Sequence, residues 1–306
     1  MMKFDLNIAL TLLQQGDYKT LARCISFVEN EAPGYEIFMR KLPINTKACI
    51  IGVTGPPGAG KSTLTDALIE WLVAENKKIG VLCIDPSSPF NLGALLGDRI
   101  RMSDWYNHPN VYIRSLASRG SLGGLHPHII EVTSTMQAAG FDYVIIETVG
   151  VGQSEIEIVG LADITVVVMV PEAGDEIQTM KAGLMEIADV FVVNKSDRPD
   201  ADLFVRNLRL MLAPAFNKTH NVSIVKTVAS EKKGIDDLIK QIKILQSTHN
   251  ISDKRYWLLT EKAYQIIQKS RMRDVDKVAL SKEIVQALEN ADFNLYEFLH
   301  RKYPGS

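Results

Sequence analysis

The 306-residue sequence has few cysteines, no long apolar run and almost no net charge, and each absence excludes a class of protein. Its three cysteines, Cys24, Cys49 and Cys83, are far apart and form no C-x-x-C pair, which argues against a disulfide framework or a zinc site. The apolar stretch at 164–170 is far too short to cross a bilayer. The first ten residues have the pattern of neither a signal peptide nor a transit peptide. We therefore expect a cytoplasmic protein with reduced thiols.

The charge balance also argues against two kinds of partner. Lys and Arg number 34 and Asp and Glu number 36, for a formal net charge of −2, so no global basic field would attract nucleic acid or a membrane surface. With 46% hydrophobic and 23% charged residues, the composition is that of an ordinary globular protein.

The pattern of apolar residues predicts an α/β fold between residues 46 and 247. Short apolar runs suited to buried strands alternate there with helical patterns; the strands are expected at 49–54, 79–84, 111–114, 143–146, 164–170, 190–193 and 223–227. This alternation predicts a doubly wound, mostly parallel sheet that binds its ligands at the carboxyl ends of the strands. Helical patterns without strands precede and follow it, so we expect an N-terminal helical segment at 1–45 and a C-terminal helical arm at 248–306.

A phosphate-binding motif follows the first predicted strand. Residues 55–63 read G-P-P-G-A-G-K-S-T, the spacing of a P-loop, between a strand and a helix. Glycines let backbone N–H groups curl around phosphates. We expect Lys61 to reach the β- and γ-phosphates, Ser62 to place its hydroxyl on Mg²⁺, and Thr63 to begin a helix whose N-terminus faces the anion. The candidate phosphate-binding residues are Gly55, Pro56, Pro57, Gly58, Ala59, Gly60, Lys61, Ser62 and Thr63.

A second motif, N-K-S-D at 194–197, follows the strand expected at 190–193 and predicts guanine as the base. The Asp197 carboxylate can accept hydrogen bonds from the ring N–H and exocyclic amine of guanine, whereas adenine presents an acceptor at the ring nitrogen. The stem of Lys195 is expected over the base, and Asn194 is expected to tie this loop to the P-loop. A backbone N–H at Ala229 is a weaker candidate for the guanine carbonyl, because Ala-Ser pairs are common in turns.

Carboxylates at strand ends are candidates for catalysis, together with Lys61, and for holding Mg²⁺, together with Ser62. Asp85 and Glu147 each follow a predicted strand, and Asp98 lies in a Gly-Asp-Arg loop; solvation of a strand end is the alternative explanation of such residues. Gly150 occupies the glycine position of the D-x-x-G motif of many GTPases, where its N–H would sense the γ-phosphate. The next residue, Val151, cannot orient an attacking water as a glutamine does in Ras-like proteins, which predicts slow intrinsic hydrolysis that a partner stimulates.

Taken together, the sequence resembles the MeaB/ArgK family of P-loop G proteins, chaperones of the B12-dependent methylmalonyl-CoA mutase. The resemblance covers most of residues 45–245 and extends beyond single motifs, with matching stretches at 52–63, 85–90, 96–102, 147–155, 173–176 and 181–183. Two departures from the family pattern are Asn91-Leu92, where a small pair is usual, and Ser121, where a histidine is usual.

The resemblance implies three switch regions and a role in cofactor delivery. It assigns Asp85 and Asp98 to the first switch, Glu147 to the second, and a further relay loop to Asp175, Glu176 and Lys181. It also implies that the GTP cycle gates delivery of adenosylcobalamin from an adenosyltransferase to the mutase, so that cobalamin is the partner's cofactor, and that the C-terminal arm forms a homodimer. Apolar helix faces in the arm fit dimerisation, although packing within one chain produces the same pattern.

Two other functions compete with this prediction. A metal-insertion GTPase of the same broad class would be expected to contain a His-rich tract or a Cys-x-x-Cys pair near the nucleotide, and the sequence has neither. His126 and His128 are separated by Pro127, which favours an ordinary loop over a metal site. A P-loop small-molecule kinase would prefer ATP, and N-K-S-D argues against it.

Overall fold

A computed structural model describes residues 5–43, 47–85, 102–117, 125–148, 154–173, 187–212, 222–248, 253–289 and 293–303. Its contacts divide the chain into two compact units, Met1–Arg255 and Tyr256–Ser306. The three-part division expected from the sequence, with boundaries at 45/46 and 247/248, stays a prediction.

The first unit contains a seven-stranded sheet in the order β3-β2-β4-β1-β5-β6-β7. Every neighbouring pair is parallel, and β1, β4, β5 and β6 are buried along their whole length, as their continuous apolar sequences predict. The predicted α/β fold is therefore confirmed. The strands are β1 (Cys49–Thr54), β2 (Ile79–Asp85), β3 (Val111–Ala117), β4 (Tyr143–Glu147), β5 (Ile164–Met169), β6 (Val190–Val193) and β7 (Ser223–Lys226).

Within the described residues, four α-helices lie between these strands along the chain and a fifth follows β7. They are α4 (Lys61–Ala74), α5 (Ile129–Ala138), α6 (Ser154–Leu161), α7 (Ala201–Leu212) and α8 (Ile235–Thr248). Helix α4 begins at Lys61 rather than at the predicted Thr63, because Gly60 takes a left-handed conformation with φ 86° and the helix follows it at once. Helix α6 was not predicted. Its Ile158 packs beside Gly52 of β1, where a Cβ atom would lie 2.8 Å from Ile158 Cγ1.

Three helices precede the sheet: α1 (Leu6–Gln14), α2 (Tyr18–Glu29) and α3 (Tyr35–Lys41). Helix α2 buries Leu21, Ile25 and Val28, which lie on one face at helical spacing. The three cysteines are buried and form no disulfide, and burial raises the pKa of Cys24 and of Cys49 to about 12. These thiols are therefore small core side chains, because a thiol with such a pKa is a poor nucleophile at neutral pH.

Aspartates bind the amino ends of neighbouring strands together. Three of them directly precede β4, β5 and β6, and each carboxylate accepts a hydrogen bond from a backbone N–H in or beside an adjacent strand: Asp142 from Lys78 at 2.8 Å, Asp163 from Ile50 at 2.8 Å and Asp189 from Thr165 at 2.7 Å. At the opposite, carboxyl edge lie the P-loop, after β1, and the N-K-S-D turn, after β6.

The second unit is helical. It contains most of α9 (Asp253–Arg271), followed by α10 (Lys277–Leu288) and α11 (Leu295–Lys302). An ion pair joins Lys302 to Glu283 within this unit. No helix in the described part of the chain has both the length and the apolar character needed to span a membrane.

Candidate nucleotide site

The P-loop connects β1 to α4, and its shape requires glycine at two positions. Gly55 has φ 140°, and a Cβ atom there would lie 2.1 Å from the carbonyl oxygen of Val168 in β5. Gly60 has φ 86°, and a Cβ atom there would lie 2.4 Å from Asn194 Nδ2. Gly58 also has a positive φ, 77°, but a Cβ atom would meet nothing within 4 Å. Close packing against β5 and Asn194 thus sets the path of the loop.

Lys61 is the first residue of α4, and its side chain is folded against the P-loop. The ammonium group donates to the carbonyl oxygens of Gly55 at 2.9 Å and Pro56 at 3.0 Å, and the residue is only 7% exposed. The first-turn N–H groups of α4 have no partner inside the helix, as at any helix start. The lysine charge and the helix N-terminus therefore both contribute positive electrostatic potential at the P-loop. This arrangement suits a bound polyphosphate.

Ser62 and Glu147 form a buried pair beside the P-loop. Glu147 is the last residue of β4 and is paired in register with Val53 of β1, so the parallel sheet brings it next to the start of α4. Ser62 Oγ donates to Glu147 Oε1 at 2.6 Å, and the two residues are 5% and 3% exposed. A hydroxyl and a carboxylate are the oxygen ligands that Mg²⁺ takes, directly or through water, so these residues fit the cation that the sequence predicts.

The other predicted switch residues are described only in part. Asp85 ends β2 opposite Ala117 of β3, which places its backbone at the carboxyl edge of the sheet, but its side chain lies outside the described residues. The remaining ones lie wholly outside the described residues, and their roles stay predictions: Asp98, Gly150, Asp175, Glu176 and Lys181. The same holds for Asn91, Leu92, Ser121 and Val151.

Asn194, at the end of β6, joins three loops. It is 2% exposed, and its Nδ2 donates to the carbonyl oxygen of Ala59 in the P-loop at 3.0 Å. Its Oδ1 accepts from Thr227 Oγ1 at 3.1 Å and from the backbone N–H of Ala229 at 3.0 Å. One side chain therefore links the P-loop, the N-K-S-D turn and the loop after β7. The N–H of Ala229, predicted for guanine, is directed to Asn194 in this structure.

The rest of the N-K-S-D turn lies over the P-loop. Lys195 has φ 55° and donates from Nζ to the carbonyl oxygen of Gly58 at 2.8 Å. Asp197 is exposed two residues later. The turn is also held by Ser196, whose N–H donates to the carbonyl oxygen of Thr227 at 3.0 Å. The site thus brings a phosphate loop and a guanine-recognition motif into direct contact.

Sequence reasoning missed several contributing side chains. Thr148 Oγ1 donates to Thr54 Oγ1 at 2.9 Å in a buried position, joining the ends of β4 and β1. Glu172 forms an ion pair with Arg198, just after the N-K-S-D turn, and this arginine lowers the pKa of Glu172. Thr54 and Thr148 are polar residues at the ends of apolar strands, a pattern that does not identify a side chain's partner, and nothing in the local sequence pairs Glu172 with Arg198.

His126 and His128 belong to a loop, as the proline between them suggests. His126 Nδ1 accepts from the N–H of His128 at 3.1 Å, and His128 Nε2 lies 3.0 Å from Glu31 Oε1. The described residues contain no group of three or more His, Cys, Asp or Glu that could hold a metal ion.

Comparisons with known proteins identify a family that this chain matches. The model of the methylmalonyl-CoA mutase-associated GTPase family MeaB matches residues 21–283. A Pyrococcus horikoshii protein whose name proposes a GTPase is 41% identical over 294 residues, which are 93% of each chain.

A fused isobutyryl-CoA mutase of Geobacillus kaustophilus is 39% identical over 204 residues, which are 63% of this chain and 19% of that protein. Among solved structures, a LAO/AO transport system kinase superposes with a TM-score of 0.67 at 26% identity, covering 98% of this chain and 97% of the other.

Proposed function

Because the chain belongs to the MeaB family of methylmalonyl-CoA mutase-associated GTPases, we propose that it is a GTP-driven chaperone of a B12-dependent acyl-CoA mutase. In this proposal it binds GTP with Mg²⁺, hydrolyses GTP slowly to GDP and phosphate, and responds to its partner. The cycle gates the loading of adenosylcobalamin into methylmalonyl-CoA mutase and protects the loaded enzyme.

The observation that carries the nucleotide part of the proposal is the set of hydrogen bonds made by Asn194. Its contacts to Ala59 and Ala229 couple the P-loop to the N-K-S-D turn and to the loop after β7, the two segments that we propose surround the base. A nucleotide bound in such a site would contact the P-loop through its phosphates and the N-K-S-D turn through its base, so both parts would contribute to recognition. Asp197 supplies the acceptor that favours guanine over adenine.

In this proposal, different residues of the protein contribute to different parts of GTP hydrolysis. Lys61 and the first turn of α4 supply positive charge to the β- and γ-phosphates, which lowers the barrier as charge spreads over the transferred group. Ser62 and Glu147 would hold Mg²⁺, which when bound neutralises phosphate charge. Val151 offers no group to orient water, and we attribute the slow intrinsic rate to this residue.

The mutase part of the proposal is supported by the family and by one relative. In the fused isobutyryl-CoA mutase, a region similar to this chain is part of the same polypeptide as a mutase. We infer that this chain meets its mutase as a separate protein, with an adenosyltransferase as the donor of the cofactor. The loop with Asp175, Glu176 and Lys181 is proposed to relay the nucleotide state.

Base selection is tested by Asp197→Asn. An asparagine can donate to the second carbonyl of xanthine where aspartate accepts from the amine of guanine, so GTP affinity should fall about 100-fold or more while xanthosine triphosphate gains. Fluorescent-nucleotide titration measures both. Tighter binding of ATP than of GTP by the unaltered chain would instead favour the small-molecule kinase.

The chaperone role is tested by complex formation with a B12-dependent methylmalonyl-CoA mutase. We expect a complex whose Kd differs between GDP and a non-hydrolysable GTP analogue, because only a nucleotide with differential contacts can shift a switch. The matched control is Asp197→Asn, which should lose this dependence with guanine nucleotides and regain it with xanthosine nucleotides. Absence of a complex in every nucleotide state would refute the mutase assignment while leaving GTP binding intact.

A further inference from the structure

A groove of about 940 Å³ lies at the β7 edge of the sheet, between α7 and α8. We call it the edge groove. Side chains of both helices form its walls, and all four residues of β7 line it. It is separate in sequence from every nucleotide motif, and its lining residues are Asp202, Val205, Arg206, Arg209, Ser223, Ile224, Val225, Lys226, Asp237, Lys240 and Gln241.

The backbone of β7 offers hydrogen-bonding groups to this groove. Strand β7 pairs with β6 on one side and is the last strand in the sheet order. The N–H of Thr227 points toward β6, where it donates to Val193 at 2.9 Å. Because backbone direction alternates along a strand, the peptide groups of Ser223 and Val225 also face β6, and those of Ile224 face the groove. A peptide could therefore pair with β7 without disturbing the existing ladder.

The walls of the edge groove carry an excess of positive charge. Of its six charged residues, Lys226 is paired with Asp202 at 2.8 Å and Lys240 with Asp237 at 3.1 Å. Arg206 and Arg209 remain: within the described residues neither lies within ion-pair distance of a carboxylate, although the charge of Arg206 also acts on Asp202. They are exposed on the same face of α7, three positions apart. This local excess of two positive charges contrasts with the net charge of −2 of the whole chain.

We propose that the edge groove binds an extended acidic segment of a partner protein, which adds a strand to β7. Alternate residues of a strand point to one face and lie about 7 Å apart, and neighbouring side chains on a helix face lie about 5–6 Å apart. Two alternating carboxylates of the segment can therefore reach Arg206 and Arg209 together. The main-chain bonds to Ile224 provide affinity, and the arginines select for acidic residues.

The test uses a fluorescein-labelled decapeptide of alternating valine and glutamate, titrated with the full chain bound to GDP and followed by anisotropy. We expect saturable binding that weakens as salt increases, because part of the attraction is between exposed charges. The double variant Arg206→Glu, Arg209→Glu should weaken binding about tenfold or more. The matched control is Lys19→Glu with Arg23→Glu, two exposed cationic residues of α2, which should leave binding unchanged.

A change in the peptide backbone alone distinguishes strand addition from simple charge attraction. The same peptide with alternate amides N-methylated keeps its charge and loses the donors that pair with Ile224, so its binding should fall at least as far as with the arginine variant. Ile224→Pro removes the corresponding N–H on the protein side, at an edge position where proline is tolerated. GDP binding, measured on each variant, reports whether the protein remains folded.

Three results would overturn the proposal. These are no binding of the acidic peptide, equal binding of the N-methylated peptide, and equal binding by the variant with both arginines reversed. If Ile224→Pro fails to fold, the N-methylated peptide alone decides whether a strand is added. The proposal for the edge groove does not rest on the proposed function. If the peptide fails to bind while GDP binding is normal, only the proposal of strand addition is refuted.

Discussion

Asn194 is the residue on which the geometry of the site most depends. Its amide makes three buried hydrogen bonds, to Ala59, Thr227 and Ala229. Removing the amide would leave a buried carbonyl oxygen and a buried N–H without these bonds, at a cost of about 1–3 kcal/mol for each group. The side chain also restricts position 60 of the P-loop to glycine, since its Nδ2 occupies the place that a Cβ atom at Gly60 would need.

Gly60→Ala should weaken nucleotide binding and destabilise the fold by about 2–4 kcal/mol, because the new methyl group displaces Asn194 and the left-handed conformation is strained. The matched control is Gly58→Ala, which has a similar φ of 77° but open space around its Cβ position. It should cost only the backbone strain, about 1–2 kcal/mol. Urea unfolding and GDP titration measure both effects. Equal losses in the two variants would show that contact with Asn194 is unimportant.

Helix α2 shows how the N-terminal segment is held to the first unit. Glu29 near its end forms an ion pair with Arg114 of β3 at 2.8 Å, and Tyr18 near its start stacks on Phe141 with ring centroids 5.9 Å apart. Tyr18 also donates from its hydroxyl to the carbonyl oxygen of Pro109 at 2.9 Å. The helix is therefore fixed at both ends by residues next to the sheet.

Asp17, the N-cap of α2, accepts a hydrogen bond from the N–H of Thr20 at 2.6 Å. Asp17→Ala should lower the free energy of unfolding by about 1 kcal/mol at neutral pH, and Asp17→Asn should cost less because it keeps an acceptor. The bonds to Thr20 lower the pKa of Asp17 below its ordinary 3.8, so its stabilisation is present above that value and is lost as the pH falls through the lower, folded-state pKa.

Urea unfolding of the three proteins at neutral pH and near pH 3 measures this effect. The difference between the original chain and Asp17→Asn should shrink in acid, since asparagine does not titrate. A difference that is constant with pH would mean that the carboxylate charge contributes nothing to the cap.

At the scale of the whole molecule, the second unit exposes many large apolar side chains. Trp257, Tyr264 and Ile267 of α9 are 53%, 64% and 51% exposed, and they recur at helical spacing. Apolar surface of this extent commonly marks an interface. We propose that the C-terminal arm, predicted at 248–306, joins two copies of the chain as a homodimer.

Light scattering tests the arm. The full chain should have twice the monomer mass, and a chain ending at Arg255 should be monomeric and still bind GDP. The double variant Tyr264→Asp, Ile267→Asp should also shift the full chain toward monomer, because charges on a buried apolar surface are costly. A full chain of monomer mass, or an unchanged dimer after truncation, would remove the arm from the interface.

Local sequence patterns predicted the sheet, the P-loop and the N-terminal helices well, because each depends on residues close together in the chain. Apolar runs bounded by turns predicted all seven strands, with differences only at their ends. Helix α6 was not predicted from the sequence because its short sequence, S-E-I-E-I-V-G-L, has a weak helical pattern and a glycine near its end. Tertiary packing against β1 compensates for that weakness.

The sequence by itself determined the chemistry available to this protein: a phosphate loop, a guanine motif, and carboxylates at strand ends, all set by residue type and short spacing. Only the tertiary structure decided which of these groups meet. Ser62 contacts Glu147 across 85 positions, and Asn194 contacts Ala59 across 135. The edge groove likewise exists because β7 is last in the sheet. Such contacts follow from the order of strands, which is set by packing of the whole sheet and cannot be read from any one segment.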